Sequence, residues 1–267
     1  MVSNLVPWSR YVALGDSFTE GMADPDPGDP TRQRGWADLL ADTLSRRRAA
    51  AGLPALEYAN LAVRGRLLGT ILTEQLTAAR ELRPDLVSLI GGGNDILRPR
   101  ADIDALLLRL EEAVASLRAE GTEVLMGTGF DPAGSPVIRL TRSKTAMYTA
   151  GVWSIAHRHG AHVLDLWGMR SLADWRMWAE DRIHLTTAGH ERAAQAALVG
   201  LGLQPDDPAW DDPLVPLPPA ARADRWRGNV RWARAYALPW MQRRLRRQSS
   251  GDRQLPKYPE PVRVEIR

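Results

Sequence analysis

Five short apolar runs, separated by stretches of helical periodicity, constrain this 267-residue chain more than any other feature. The runs are 11–14, 56–61, 86–90, 124–127 and 163–166. Most are continuous and rich in Val, Leu and Ile, as expected for strands covered on both faces. Helical stretches lie at about 35–51, 69–81, 102–119, 142–159 and 186–199. In the third, Ile103, Leu106, Leu107, Leu110, Ala113, Val114 and Leu117 recur at three- and four-residue spacing, and Gly121 closes the helix. Such alternation predicts an α/β fold: a parallel sheet with helices on both faces. Sheets of this kind carry their sites at the carboxyl ends of the strands.

Three motifs fall near such ends or after them. The first run leads into Gly15-Asp16-Ser17-Phe18. The third leads into Gly91-Gly92-Gly93-Asn94-Asp95. Asp181-Arg182-Ile183-His184 follows near the end of the main body. Each motif alone is weak, but in this order they supply the parts of ester hydrolysis. A serine hydroxyl needs a base within hydrogen-bond reach, and His184 is the candidate for Ser17. Asp181, three residues earlier, can hold the other imidazole nitrogen and stabilise the imidazolium formed during attack. The side-chain amide of Asn94 is a candidate donor to the oxyanion of the tetrahedral intermediate. Asp16 and Asp95 read as structural, bonding loop amides or capping short helices.

These residues resemble the blocks of the SGNH hydrolases, also called GDSL esterases and lipases. Gly15-Asp16-Ser17 matches the first block, Gly92-Gly93-Asn94-Asp95 the third and Asp181 to His184 the fifth. Asn60-Leu61-Ala62-Val63-Arg64-Gly65 is the loosest match, to the block that carries a glycine. The resemblance spans residues 10 to 200. It implies a three-layer α/β/α sandwich, flavodoxin-like, around a five-stranded parallel sheet. It also implies an acyl-enzyme on Ser17, with an oxyanion hole made by the backbone N–H of Ser17, the backbone N–H of Gly65 and the amide of Asn94. No metal or organic cofactor is implied. The substrate would be a small-molecule or carbohydrate ester. Few phenylalanines (2) and the lack of a long apolar lid point to short acyl groups. An acyltransferase using the same residues is the alternative, since an alcohol can replace water as acceptor.

Around this centre, Trp175 and Trp178 precede Asp181 and are candidate pocket-lining residues. Arg64 flanks Gly65 and could meet an anionic substrate. The proline-rich loop 24–30 and the loop 129–135 are expected at the rim of the cleft. His157, His159 and His162 straddle Gly160 without a carboxylate cluster, which reads as a solvated helix end rather than a metal site. His190 reads as a cap or packing residue.

The chain divides into a catalytic domain, 1–203, and an extension, 204–267, that begins with six prolines between 204 and 220. Residues 1–220 hold 22 basic and 28 acidic side chains, whereas 221–267 hold 13 basic and 4 acidic. Trp226, Trp232, Tyr236 and Trp240 interleave with the arginines of this basic tail. Two readings stand for it. It can pack its aromatics on the acidic body and expose its arginines, or bind nucleic acid or another acidic surface. The chain has no cysteine, which excludes disulfides, zinc–thiolate sites and a cysteine nucleophile. No signal peptide and no apolar span are visible, so a cytoplasmic enzyme is expected.

Overall fold

Burial on both faces is what makes the apolar runs strands. Along β1 (Arg10–Leu14), Tyr11 and Ala13 enter one core while Val12 and Leu14 enter the other. The computed structural model describes residues 5–135, 138–218, 222–239 and 251–264. After β1 come the short helix α1 (Ser17–Glu20) and a two-stranded hairpin, β2 (Pro25–Asp26) and β3 (Asp29–Gln33). Then follow α2 (Trp36–Ala50), β4 (Glu57–Asn60), α3 (Leu68–Thr70), a π-helical turn Ile71–Gln75 and α4 (Leu76–Glu81). The body continues through β5 (Leu86–Leu89), α5 (Gly93–Ile96), α6 (Ile103–Ala119), β6 (Glu123–Gly127), α7 (Arg142–His159), β7 (His162–Leu164) and α8 (Thr187–Gly200). The extension adds α9 (Arg222–Trp232), a π-helical turn Ala233–Ala237 and β8 (Tyr258–Arg263).

The main sheet runs β7-β6-β5-β1-β4-β8. Its first five strands are parallel, as expected. Helices α2 and α8 cover one face through Trp36, Leu40, Leu44, Ala193 and Ala197. The α3–α4 segment, α6 and α7 cover the other through Leu68, Ile71, Leu110, Val114, Tyr148 and Val152. The three-layer α/β/α arrangement is therefore as expected, but the sheet has six strands rather than five.

The sixth strand comes from the end of the extension. β8 pairs antiparallel with β4, with Tyr58 opposite Val262 and Asn60 opposite Tyr258. Pro259 and Pro261 argue against a central strand, but an edge strand needs no donor on its outer side. Beside it, Lys257 turns inward. Its ammonium donates to the carbonyls of Glu20, Gln33 and Arg34 and lies 2.5 Å from Asp38. The end of the extension is thus part of the catalytic body. The Pro-rich strap is tied down too: Arg192 donates to the carbonyl of Trp210 at 2.6 Å and Asp211 accepts from the Ser171 amide at 3.1 Å. Among the described residues no helix is long and apolar enough to cross a membrane.

Candidate active site

The turn after β1 needs a glycine. A Cβ at Gly15 would sit 2.5 Å from Thr19 Oγ1 and 2.7 Å from the Ile90 carbonyl, closer than any side chain tolerates. That approach sets Ser17 at the first position of α1, where helical geometry leaves the N–H without an intrahelical partner. Asp16 caps the helix by accepting from the Phe18 amide at 3.1 Å. Buried Gln75, in the π-helical turn, holds the Gly15 peptide from behind. It accepts from the Gly15 N–H at 2.8 Å and donates to its carbonyl at 2.9 Å.

After the neighbouring strand β5, Gly92 takes φ +90° and opens α5, which carries Asn94. The Tyr148 hydroxyl donates to the Gly91 carbonyl at 2.9 Å and fixes this loop from α7. Asn94 Nδ2 donates to Asp16 Oδ2 at 3.1 Å and to the Arg66 carbonyl at 3.0 Å. The contact between Asp16 and Asn94 joins the first and third motifs directly. Burial pushes the Asp16 carboxyl up to about 6, against the opposing pull of the Phe18 amide and of His184. Asp95 accepts from the Leu68 amide at 2.9 Å and so anchors the start of α3.

Asp181 and His184 lie in a loop closed by an antiparallel bridge between Trp178 and Leu185. Inside it, Asp181 Oδ1 accepts from the amides of Ile183 and His184, both at 3.0 Å. This Asx-type turn leaves Oδ2 for His184 Nδ1 at 2.5 Å. Burial opposes ionisation of Asp181, but the bond and charge of His184 and the two amides outweigh it and hold the carboxyl below its ordinary range. The geometry orients His184 through Nδ1 and leaves Nε2 for proton transfer.

Ser17, Asn94 and His184 line one cavity of about 480 Å³, with Asp181 behind His184. In this structure no hydrogen bond joins Ser17 to His184, and apo geometries of such pairs are often open. Trp175 and Trp178 also line the cavity, as does the whole of 129–135. Phe18, Phe130 and Trp178 stack into an aromatic wall, with edge-to-face contacts of 5.1 Å between Phe18 and Phe130 and between Phe130 and Trp178. Phe18 ends the first motif and Phe130 lies in the 129–135 loop, but nothing in either stretch announces that the two rings meet. Gly65 lies outside the lining, at φ +75° in the loop after β4, next to the Arg66 carbonyl that accepts from Asn94. Arg64 is also outside it, its guanidinium bound to Glu20. The proline-rich segment 24–30, expected at the rim, forms most of the β2–β3 hairpin and does not reach the cavity. Asp24 at its base instead pairs with Arg34 and accepts from Thr187 in the first turn of α8.

Of the remaining histidines, His157 is exposed at the end of α7, as a solvated helix end requires, and the other three bond to neighbours. His159 meets Glu111 at 2.9 Å and His162 meets Glu123 at 3.1 Å. His190 is fully buried, its Nδ1 accepting from the Trp36 amide and its Nε2 facing the Met22 carbonyl, both at 3.2 Å. Burial lowers it to about 4, so it stays neutral. No group of three metal-ligating side chains occurs among the described residues.

A search of the curated proteins gives no match. Among solved structures, an α/β hydrolase enzyme from the metagenome of Lake Arreo, Spain, is 23% identical, with a TM-score of 0.61 over 74% of this chain and 97% of that one. A single-site variant of an acetyl xylan esterase from Geobacillus stearothermophilus is 18% identical, with a TM-score of 0.62 over 76% of this chain and 98% of that one. The psychrotrophic esterase EstA from Pseudoalteromonas sp. is 17% identical, with a TM-score of 0.56 over 72% of this chain and 96% of that one. At these identities the likeness shows a shared fold. The family model of the GDSL-like lipases and acylhydrolases matches residues 13–192, which takes in Ser17, Asn94 and the Asp181–His184 pair. The chain therefore belongs to the GDSL-like lipase/acylhydrolase family, and it is a carboxylic ester hydrolase.

Proposed function

We propose that the protein hydrolyses short-chain carboxylic esters through an acyl-enzyme on Ser17. One observation carries the reading. Ser17, Asn94 and His184 share a cavity, and the imidazole nitrogen turned away from that role is held by Asp181 at 2.5 Å. Ser17 Oγ attacks the acyl carbonyl and its proton passes to His184 Nε2. The imidazolium then protonates the departing alcohol. Water, deprotonated by the same nitrogen, releases the acid and restores the serine. Asp181 keeps the tautomer that makes each transfer possible.

The oxyanion falls to the Ser17 amide and to Asn94 Nδ2, both in the cavity, and the Gly65 amide, one residue from the Arg66 carbonyl that Asn94 bonds, is the third donor although Gly65 stands outside the lining. Neither backbone amide donates to a protein acceptor among the described residues. Asn94 is different, because both its N–H groups are engaged, by Asp16 and Arg66. It stabilises the intermediate by exchanging one of these acceptors for the oxyanion, and the other bond holds its orientation. The rigid aromatic wall of Phe18, Phe130 and Trp178 favours a short acyl group at the nucleophile, with Trp175 further along the cavity. A panel of p-nitrophenyl esters of rising chain length, run on wild type and Ser17→Ala, tests this. We expect turnover to be highest for the shortest acyl groups and lost in the variant. Turnover retained by Ser17→Ala would refute the nucleophile, and a rise with chain length would refute the acyl preference.

A further inference from the structure

The family-matched segment ends at residue 192, yet a helix beyond residue 220 rests on the loop that carries the Asp–His pair. Trp232 is buried at the end of α9, and its indole Nε1–H donates to the backbone carbonyl of Asp181 at 2.9 Å. Arg182 lies under the same ring, its guanidinium 5.1 Å from the Trp232 centroid and 5.7 Å from that of Trp175. Arg182 Nη1 also donates to Asn229 Oδ1 at 2.8 Å, one helical turn before Trp232. One turn after it, the Tyr236 hydroxyl donates to Glu180 at 3.0 Å. Asn229, Trp232 and Tyr236 share one face of the helix by their three- and four-residue spacing. Each meets a different residue of the run Glu180-Asp181-Arg182.

That loop needs outside support. Within itself it is held by the Trp178–Leu185 bridge and a few turn bonds, such as Ala179 N to the His184 carbonyl at 2.8 Å. Arg182 sits at φ +60°, a left-handed conformation that a side chain with a Cβ adopts only where its surroundings impose it. Here the impositions are the two tryptophan faces and Asn229. A backbone free to leave that conformation would swing the carbonyl of Asp181 and, with it, the carboxylate that must meet His184 Nδ1.

We propose that the C-terminal helix is a clamp on the catalytic loop. Trp232 is its principal positioning residue, and Asn229 and Tyr236 are its flanking ones. Together they hold Asp181 where its carboxylate orients His184. The clamp rests on the reading of Asp181 and His184 as the acid–base pair. It acts through them and touches no substrate. Its expected mark is a lower kcat with an unaltered KM, since substrate contacts stay in place while the fraction of correctly oriented imidazole falls.

The test is Trp232→Phe, which keeps an aromatic ring beside Arg182 while removing the indole donor and one ring of the bicycle. With p-nitrophenyl acetate we expect kcat to fall about tenfold, KM to stay within twofold and the melting temperature to be unchanged. The low-field proton resonance of the Asp181–His184 hydrogen bond should broaden or shift. Labelling of Ser17 by a fluorophosphonate should slow in parallel with kcat. Tyr236→Phe combined with Asn229→Ala, at a half-buried and an exposed position, probes the same contacts if the tryptophan variant fails to fold, with a two- to fivefold loss expected. A wild type that labels and turns over, with folded variants within twofold of it and an unshifted resonance, would overturn the clamp and leave the esterase reading standing. A wild type that neither labels nor hydrolyses the ester would overturn the esterase reading and the clamp with it.

Discussion

The two halves of the active site are held in different ways. Ser17 and Asn94 stand at the ends of adjacent strands, and the turns that carry them are tied into the interior. Gln75 grips both polar groups of the Gly15 peptide, the Val63 amide donates to the same carbonyl at 3.3 Å, and Tyr148 grips Gly91. Asp181 and His184 stand on a surface loop whose outer support is a helix from the chain's far end. One half inherits its precision from the sheet. The other depends on contacts made by a segment beyond the family-matched region. The difference teaches that stability and catalysis should separate on the loop side and move together on the sheet side.

The largest effect should come from the loop side. Asp181→Asn keeps the shape of the turn but lets the amide favour the wrong histidine tautomer, so kcat should fall by about 10⁴-fold. The melting temperature should change little, because the Asx-turn acceptor is preserved. Steady-state kinetics with a thermal melt checks both. A loss under about tenfold, roughly 1.4 kcal/mol, would mean that His184 takes its orientation elsewhere.

Gln75→Ala probes the sheet side. It leaves a buried N–H and a buried carbonyl of Gly15 with fewer partners, at about 1–3 kcal/mol for each group left unsatisfied. Stability and kcat should fall together, since the turn that loses its support carries the nucleophile. Urea unfolding alongside turnover measures this. A stable Gln75→Ala with low activity, or a destabilised one with full activity, would break the comparison.

The same comparison shows what the sequence makes legible. All five parallel strands and the main helices come from apolar periodicity, because burial on one or both faces writes itself into residue spacing. Ser17, Asn94, Asp181 and His184 come from motifs whose chemistry demands those side chains. Contacts between segments far apart in sequence leave no such trace. Nothing near residue 75 announces that a glutamine will hold Gly15. Tryptophan 232 reads as one aromatic among several in a basic tail, and only the fold shows that it faces Asp181 while Trp226 is 68% exposed. β8 is hidden by its own prolines, which an edge position tolerates. The packing reading of the tail holds for Trp232, and Trp240 lies outside the described residues. Arg64, a candidate for an anionic substrate by its charge, spends that charge on an ion pair with Glu20.

Two carboxyls, one on each side, should give opposite signs of pH dependence. Asp16 has a folded pKa raised to about 6 by burial, against about 3.9 for an unfolded aspartate. Between those values the folded state binds the extra proton. This contribution to stability is fully present below pH 4 and is lost as pH rises through 6. That difference corresponds to about 3 kcal/mol. Asp181 has a folded pKa below its ordinary range, so its contribution is present above the unfolded value and is lost as pH falls through the folded one. Unfolding free energies from pH 4 to 7 should therefore fall more steeply with pH for wild type than for Asp16→Asn. Parallel curves would mean that Asp16 is ionised throughout.

The effect expected at Asn94 is smaller than that at Asp181, and its size follows from the partners it already has. Removing an oxyanion donor generally costs about 10²–10³ in kcat. Asn94 enters the transition state from a ground state in which both N–H groups are bonded, one of them to the Asp16 carboxylate. Catalysis draws only on the difference between the oxyanion and the acceptor it displaces, so Asn94→Ala should fall near the lower end, about 10²-fold, with KM nearly unchanged. The ground-state competitor can itself be removed. If Asp16 protonates below pH 6, its hold on Asn94 weakens, and the ratio of wild-type to Asn94→Ala turnover should widen as pH is lowered from 8 to 5.5. A ratio that stays flat would mean that the Arg66 carbonyl, not Asp16, is the acceptor exchanged. A loss lying wholly in KM would remove Asn94 from the oxyanion hole and place it in substrate binding.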